Sequence, residues 1–377
     1  MKILIAPDSF KESLSAEQVA KAIEQGFRQH FAEADYHHVP IADGGEGTLA
    51  ALVSSNQGEI KTSLVEGPLG DLTKAKWGLI NQGDVAVIEL AEASGLALVA
   101  PEKRQVLAAS SYGTGQIIKQ ALDLGVTQII LCLGGSATND AGAGIAQALG
   151  IQLLDKAGNE IEKGGAALSQ LDKINIDNLH PRASQIEWLL ACDVDNPLCG
   201  PKGASAVFGP QKGATQAEVK TLDAALAHFA KQIADLTKED HATTSGYGAA
   251  GGTALGISLF ARPKLEAGID IVLRTANFEQ HLEGADLVIT GEGQMDYQTL
   301  HGKAPFGVAK AAKEKGIKVI GISGSLGADT SGLEDYFDAI FDSTRASMPL
   351  EQALVEAEKN LVHLASNIAA TLKLSLG

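Results

Sequence analysis

The chain has 377 residues, enough for two domains at ~150 residues each, and its 45% hydrophobic and 20% charged residues are ordinary globular usage, which argues against disorder. A net charge of −16, from 46 acidic against 30 basic residues, is the reverse of the field that nucleic acid or an anionic membrane surface attracts, so neither is expected as a partner. The three cysteines, Cys132, Cys192 and Cys199, are too few and too scattered for a disulfide framework, and the first two, in apolar runs, read as buried thiols.

No run approaches ~18 consecutive apolar residues, so no membrane helix is expected. The N-terminus reads as a short strand and a turn rather than a signal peptide, which makes the cytoplasm the expected location. That first strand, Ile3–Ala6, leads to Pro7-Asp8-Ser9. Ser15-Ala16-Glu17-Gln18 is a capping box, and Val19, Ile23, Phe27 and Phe31 continue it at helical spacing. A second strand over His38–Ala42 ends in Asp43-Gly44-Gly45-Glu46-Gly47-Thr48 and a helix over Leu49–Val53. Between Gly58 and Ala91 the rhythm changes. Ile60–Val65, Ala75–Ile80 and Val85–Leu90 are separated only by turns, which predicts antiparallel strands and the start of a different module.

Strands at Gln128–Leu133, Trp188–Ala191, Leu287–Thr290 and Val319–Ser323 restore the alternation of apolar strand and helix. Leu222, Leu226, Phe229, Ile233 and Leu236 mark one amphipathic helix; Leu354, Leu361, Leu364, Ile368 and Leu372 mark another. Asn196–Thr215 lacks periodicity and reads as a long functional loop. Near-continuous apolar strands alternating with helices predict an α/β fold with a parallel sheet covered on both faces.

In such sheets ligands sit outside the carboxyl ends of the strands, so the residues at those ends matter most. Asp8, with Ser9, Lys11, Glu12 and Ser13, stands at the first, where a carboxylate could hold a metal or a hydroxyl; an Asx-type turn with surface charge explains it equally. Asp43 and Glu46 stand among glycines at the second, which also suits a purely structural turn. The third, Gly134-Gly135-Ser136-Ala137-Thr138-Asn139-Asp140, has the small residues and hydroxyls of a phosphate cradle at a helix start, and close helix–strand packing is the other reading. It is neither a Walker A loop nor a dinucleotide fingerprint.

At the fourth, Asp193 and Asp195 are spaced to share Mg²⁺ or orient a hydroxyl, and Lys202 and Lys212 follow, either functional or merely solvated. The fifth gathers Glu292, Asp296 and Lys303 around one helix start, where Pro305 is tolerated. Zinc spacings, a Cys-x-x-Cys pair and a Gly-x-Ser-x-Gly elbow are absent from the sequence. Phosphoryl transfer survives, because it asks for cradled phosphates, a carboxylate-held metal and a carboxylate near an acceptor hydroxyl.

Ile5-Ala6-Pro7-Asp8-Ser9-Phe10-Lys11-Glu12-Ser13-Leu14 resembles the opening of the bacterial type I glycerate kinases. The blocks Ala42–Thr48, Gly134–Asp140, Asp193–Leu198 and Thr290–Gly293 with Asp296, Gln298-Thr299 and Gly302-Lys303 are similar to that family too, in order along essentially the whole chain. The resemblance implies ATP-dependent phosphorylation of D-glycerate, with Mg²⁺, to 2-phosphoglycerate. It also implies two α/β domains: a doubly wound, largely parallel one from residues 1–65 and 285–377, and a second, 66–284, inserted into it, with the active site between them. The N-terminal strands would then share a sheet with Leu287–Thr290, Val319–Ser323 and Ala339–Phe341.

On this view Gly134, Gly135, Ser136, Thr138, Asn139 and Asp140 take the ATP phosphates with Lys212. Asp193 and Asp195 take Mg²⁺, Asp193 being also a candidate for activating the hydroxyl. Lys11 and Lys303 would bind the glycerate carboxylate or the transferring phosphoryl group. Ser9, Asp43 and Glu292 are further substrate-binding candidates, and Asp8 and Asp296 catalytic carboxylates close by. A kinase for another small hydroxy acid, or a two-domain anion-binding protein without chemistry, are the alternatives. The sequence is silent on oligomeric state.

Overall fold

The strand Lys2–Ile5 is buried beyond its lysine, as a central strand covered on both faces must be. It lies between Asp35–His38 and Leu287–Thr290, with Lys318–Ser323 and Ala339–Asp342 beyond, and every pairing in this five-stranded sheet is parallel. Ile5 is in register with both Ile289 and His38, so the turns after these strands emerge along one edge. The computed structural model describes residues 1–376 and divides into two units, Met1–Gln57 with Ala267–Gly377, and Gly58–Glu266.

In the first unit the helix Ala16–Phe27 starts at the capping box of Ser15 and Gln18. Its buried face, Val19, Ala20, Ile23 and Phe27, packs with Leu361, Ala365 and Ile368 of the helix Ala357–Leu376 and with Ile3 and Ile5 of the sheet. Gly26 permits that approach, since a Cβ there would lie 2.5 Å from the Cβ of Ala365.

The second unit is a mixed six-stranded sheet, in spatial order Lys264–Glu266, Glu187–Ala191, Gln128–Cys132, Val85–Glu89, Leu72–Ile80 and Glu59–Glu66. The first four run parallel and the last two pairings are antiparallel, as the change of rhythm after Gly58 predicts. Its core is built on Trp77, Trp188 and Phe229, the last from the 22-residue helix Gln216–Thr237. No helix among the described residues is long and apolar enough to cross a membrane.

Several local expectations shift. The second strand is Asp35–His38, not His38–Ala42; Val39 and Ile41 still donate to Ile5 and Pro7, but Pro40 between them has no N–H to give. Phe31 lies past the end of its helix, Leu236 is 46% exposed, and Leu354 belongs to a separate helix, Leu350–Val355. Asn196–Thr215 is not one loop, since it contains the helix Ala204–Phe208 and a 3₁₀ turn at Pro210–Lys212. Cys192 is only half-buried, while Cys132 is buried.

The division between units falls at 57/58 and 266/267 rather than at 65/66 and 284/285. Glu59–Glu66 pairs along its whole length with Leu72–Ile80 and so belongs to the second sheet. The helix Gly268–Thr275 packs in the first unit, where the helix Ala304–Glu314 leaves Gly307 bare against Ile269.

Candidate active site

A cavity of about 390 Å³ opens along the carboxyl edge of the first sheet. Asp8, Ser9 and Lys11 line it from the turn after Lys2–Ile5, Asp43 from beyond Asp35–His38, Glu292 from the turn after Leu287–Thr290, and Lys303 from the start of the helix Ala304–Glu314. The turns are tied together: the Asp8 amide donates to the Gly291 carbonyl at 2.8 Å, and Thr290 Oγ1 donates to the Ala6 carbonyl at 2.7 Å.

Asp8 is 6% exposed. Its Oδ1 accepts from the Ser9 amide at 2.6 Å and from Ser9 Oγ at 3.3 Å, so the Asx-like turn and the cavity position coexist. Burial, joined by the negative charges of Asp43 and Glu292, pushes its carboxyl up to about 7, against the Ser9 amide and Lys11. Glu292 is likewise raised by burial, although Thr299 Oγ1 donates to its Oε1 at 2.7 Å and Lys303 Nζ sits 3.2 Å from its Oε2. Here the loss of water outweighs the ion pair. Lys303 remains about a third exposed, held by Glu292 but open to a ligand.

Asp296 stands apart. It does not line the cavity; its Oδ1 caps the 3₁₀ turn Tyr297–Leu300 by accepting from the Gln298 amide at 2.9 Å.

In the second unit, Gln128–Cys132 and Glu187–Ala191 are adjacent parallel strands with Cys132 opposite Ala191. The glycine-rich turn and the Asp193–Asp195 segment therefore leave one sheet edge side by side. Gly134 and Gly135 are exposed, whereas Ser136, Thr138, Asn139 and Asp140 are buried. The turn is not itself a helix start, because the helix behind it begins at Ala143, with Gly142 as its cap. Asp140 fills the amides that a phosphate would need there. Its carboxylate accepts from the Ser111 amide and hydroxyl at 2.8 and 2.9 Å and from Gly142 and Gly144 at 3.2 and 3.3 Å. Asn139 Nδ2 donates to Ser205 Oγ at 2.8 Å.

Lys212 is not solvated. Only 3% exposed, it donates from Nζ to Ser136 Oγ at 2.9 Å and to the Thr138 carbonyl at 2.7 Å. Burial pulls its ammonium down to about 7, against the attraction of Asp140. Asp193 and Asp195 are exposed, and among the described residues no group of three or more His, Cys, Asp or Glu side chains is arranged to hold a metal.

A family model described as the glycerate kinase family matches residues 3–373. The chain belongs to the glycerate kinase family. It is 50% identical over 376 residues to a protein of Bacillus subtilis (strain 168) named glycerate kinase, covering 100% of this chain and 98% of that one. It is 48% identical over 377 residues to one of Escherichia coli (strain K12) named glycerate 2-kinase, covering 100% and 99%. A crystal structure from Salmonella typhimurium LT2, described provisionally as glycerate kinase 2, superposes with a TM-score of 0.90 at 50% identity, covering 100% of this chain and 99% of that one.

The glycerate kinase resemblance in the sequence rests on strand-tip blocks, and three of them, around Asp8, Asp43 and Glu292, meet at the cavity. The cavity also takes in Ser343, Thr344, Leu354 and Asn360, which sequence reasoning did not single out as site residues. A signal existed for the last: Asn360 interrupts the apolar face formed by Ala357, Leu361, Ala365 and Ile368.

Proposed function

We propose that this chain transfers the γ-phosphoryl group of ATP to a hydroxyl of D-glycerate, giving 2-phosphoglycerate, with Mg²⁺ assisting. The observation that carries the reading is the first-unit cavity, where a carboxyl group poised near neutrality stands with two lysines in a space fit for a small organic anion. The names of the family relatives supply the substrate. In this reading Lys11 and Lys303 hold the carboxylate, Glu292 fixes Lys303, and Asp43 keeps Asp8 from ionising early.

Asp8 then takes the proton of the attacking hydroxyl as its oxygen forms the new bond to phosphorus and the bond to ADP breaks. A carboxyl group at about 7 is half in its basic form at neutral pH. The exposed Gly134 and Gly135, with no side chain in the way, present backbone N–H groups to the phosphates. Lys212 supports that turn from below rather than touching phosphate, and Asp140 braces it. The reaction so drawn uses groups from both units.

Mg²⁺ takes oxygen ligands and commonly uses one or two carboxylates together with phosphate oxygens and water. Asp193 and Asp195 offer that chemistry, exposed and two residues apart beside the glycine turn. The ion, when bound there, would neutralise phosphate charge.

The test is ³¹P NMR of the product formed from D-glycerate and ATP. A resonance for 2-phosphoglycerate with stoichiometric ADP is expected. Turnover only with another hydroxy acid would replace the substrate, and binding of glycerate without ADP formation would sink the kinase reading.

A further inference from the structure

We propose that Asn360, on the C-terminal helix, recognises the terminal hydroxyl of the hydroxy acid and thereby sets which acid is accepted; this rests on the hydroxy-acid reading of the first-unit cavity. The cavity lining falls into two unlike sets. Its titratable lining residues, Asp8, Lys11, Glu12, Asp43, Glu292 and Lys303, all belong to the segments that follow Lys2–Ile5, Asp35–His38 and Leu287–Thr290. Ser343 and Thr344 follow Ala339–Asp342, the strand at the opposite margin of the sheet. The strand that leads to Glu292 and Lys303 is only two strand spacings from that margin, roughly 10 Å. Leu354, Ala357 and Asn360 line the same cavity from the C-terminal helices and, like Ser343 and Thr344, carry no charge.

Among the uncharged lining residues Asn360 is the anomaly. It is 3% exposed, lines the cavity, and its Oδ1 has no hydrogen-bond partner among the described residues. Buried amide oxygens are nearly always paired, so one without a partner on a cavity-lining residue marks a place for a ligand group. A carboxamide both donates and accepts, which matches an alcohol, and it carries no charge to draw a second carboxylate.

The size agrees. At the ~30 Å³ that liquid water gives each heavy atom, the seven heavy atoms of glycerate take roughly 210 Å³, so the acid can lie with its carboxylate among the lysines and its far carbon toward Asn360. The segment Leu350–Asn360 is positioned for this by the Ser13 hydroxyl, which donates to the Leu354 carbonyl at 2.9 Å.

Lactate is the probe, because it replaces the terminal CH₂OH of glycerate by a methyl group. Calorimetric titration of both acids into wild type and Asn360→Leu measures the preference without requiring turnover, and steady-state kinetics adds KM for ATP. Wild type should bind glycerate at least 100-fold more tightly than lactate, since a site built to pair a hydroxyl rejects the analogue lacking it. Asn360→Leu should weaken glycerate about 30-fold or more, leave lactate within threefold, and leave KM for ATP unchanged.

Equal weakening of both acids, an unchanged preference, or an effect confined to ATP would overturn the assignment. Should Asn360→Leu fail to fold, wild type still decides: lactate bound within threefold of glycerate refutes a hydroxyl-reading residue. Absence of ADP formation with glycerate would instead strike the kinase reading, leaving the binding preference to judge Asn360 alone.

Discussion

Each unit sets a glycine-rich turn at the carboxyl end of parallel strands, yet the two treat charge in opposite ways. In the first, Asp8, Glu292 and Lys303 face a cavity, and the burial of the two carboxyls is only partly offset by partners. In the second, the charges at the turn are directed inward and used up: Asp140 accepts four hydrogen bonds, and Lys212, reaching in from Pro210–Lys212, donates two. What that turn leaves outside is bare glycine. The difference teaches that a charged residue inside a motif is not thereby a contact residue. Saturation by the protein's own donors and acceptors separates a brace from a working group.

Asp8→Asn is the sharpest way to break that contrast. It should lower kcat/KM for glycerate by about 10³-fold, roughly 4 kcal/mol of barrier, and remove the rise in activity as wild type passes pH 7. The same change should stabilise the fold. Because the Asp8 carboxyl is raised from 3.8 to about 7, the folded state holds its proton more tightly, and stability falls as pH rises through that window. Urea unfolding at pH 8 should find the variant more stable by up to about 4 kcal/mol, with the gap closing toward pH 4. Activity within tenfold of wild type would remove Asp8 from the chemistry.

A smaller effect is expected from Gly135→Ala. Gly135 has φ of +72°, and an added Cβ would lie 3.1 Å from that of Ala91, so the turn must shift. KM for ATP should rise about tenfold with glycerate affinity unchanged, as product-coupled kinetics can show; the reverse pattern would detach this turn from the nucleotide. Smallest should be Asp296→Ala, which removes a cap at a cost of about 1 kcal/mol and leaves kcat within threefold. A hundredfold loss of kcat would instead restore the catalytic role that the sequence motif suggests.

The sheets were legible because strand periodicity and capping are local: the Ser15 box, the apolar runs and the change of rhythm after Gly58 all reappear as elements. That Asp8, Asp43, Glu292 and Lys303 come together, lining one cavity, was legible for a related reason, since position just past the end of a parallel strand places a residue before any contact is known. Burial state was not legible. Lys212 and Asp140 read as phosphate ligands in sequence because nothing local reveals that Ser136, Thr138 and Ser111 return to claim them. Asn360 escaped notice because its partner-poor surroundings come from loops far along the chain. The boundary at 266/267 was displaced because the helix Gly268–Thr275 carries no composition shift to announce which sheet it serves.

The strand Lys2–Ile5 sits second from one margin of its sheet, and its hydrogen-bonded neighbour Leu287–Thr290 lies more than 280 residues downstream. On the ribosome, Ile3-Leu4-Ile5 therefore emerges long before the neighbour that completes its pairing exists. The continuous unit Gly58–Glu266 is finished first and can fold while the leading segment still waits. Closing the first sheet therefore waits on residues made after the second unit, and Lys2–Ile5 stays without its parallel neighbour Leu287–Thr290 throughout the translation of Gly58–Glu266.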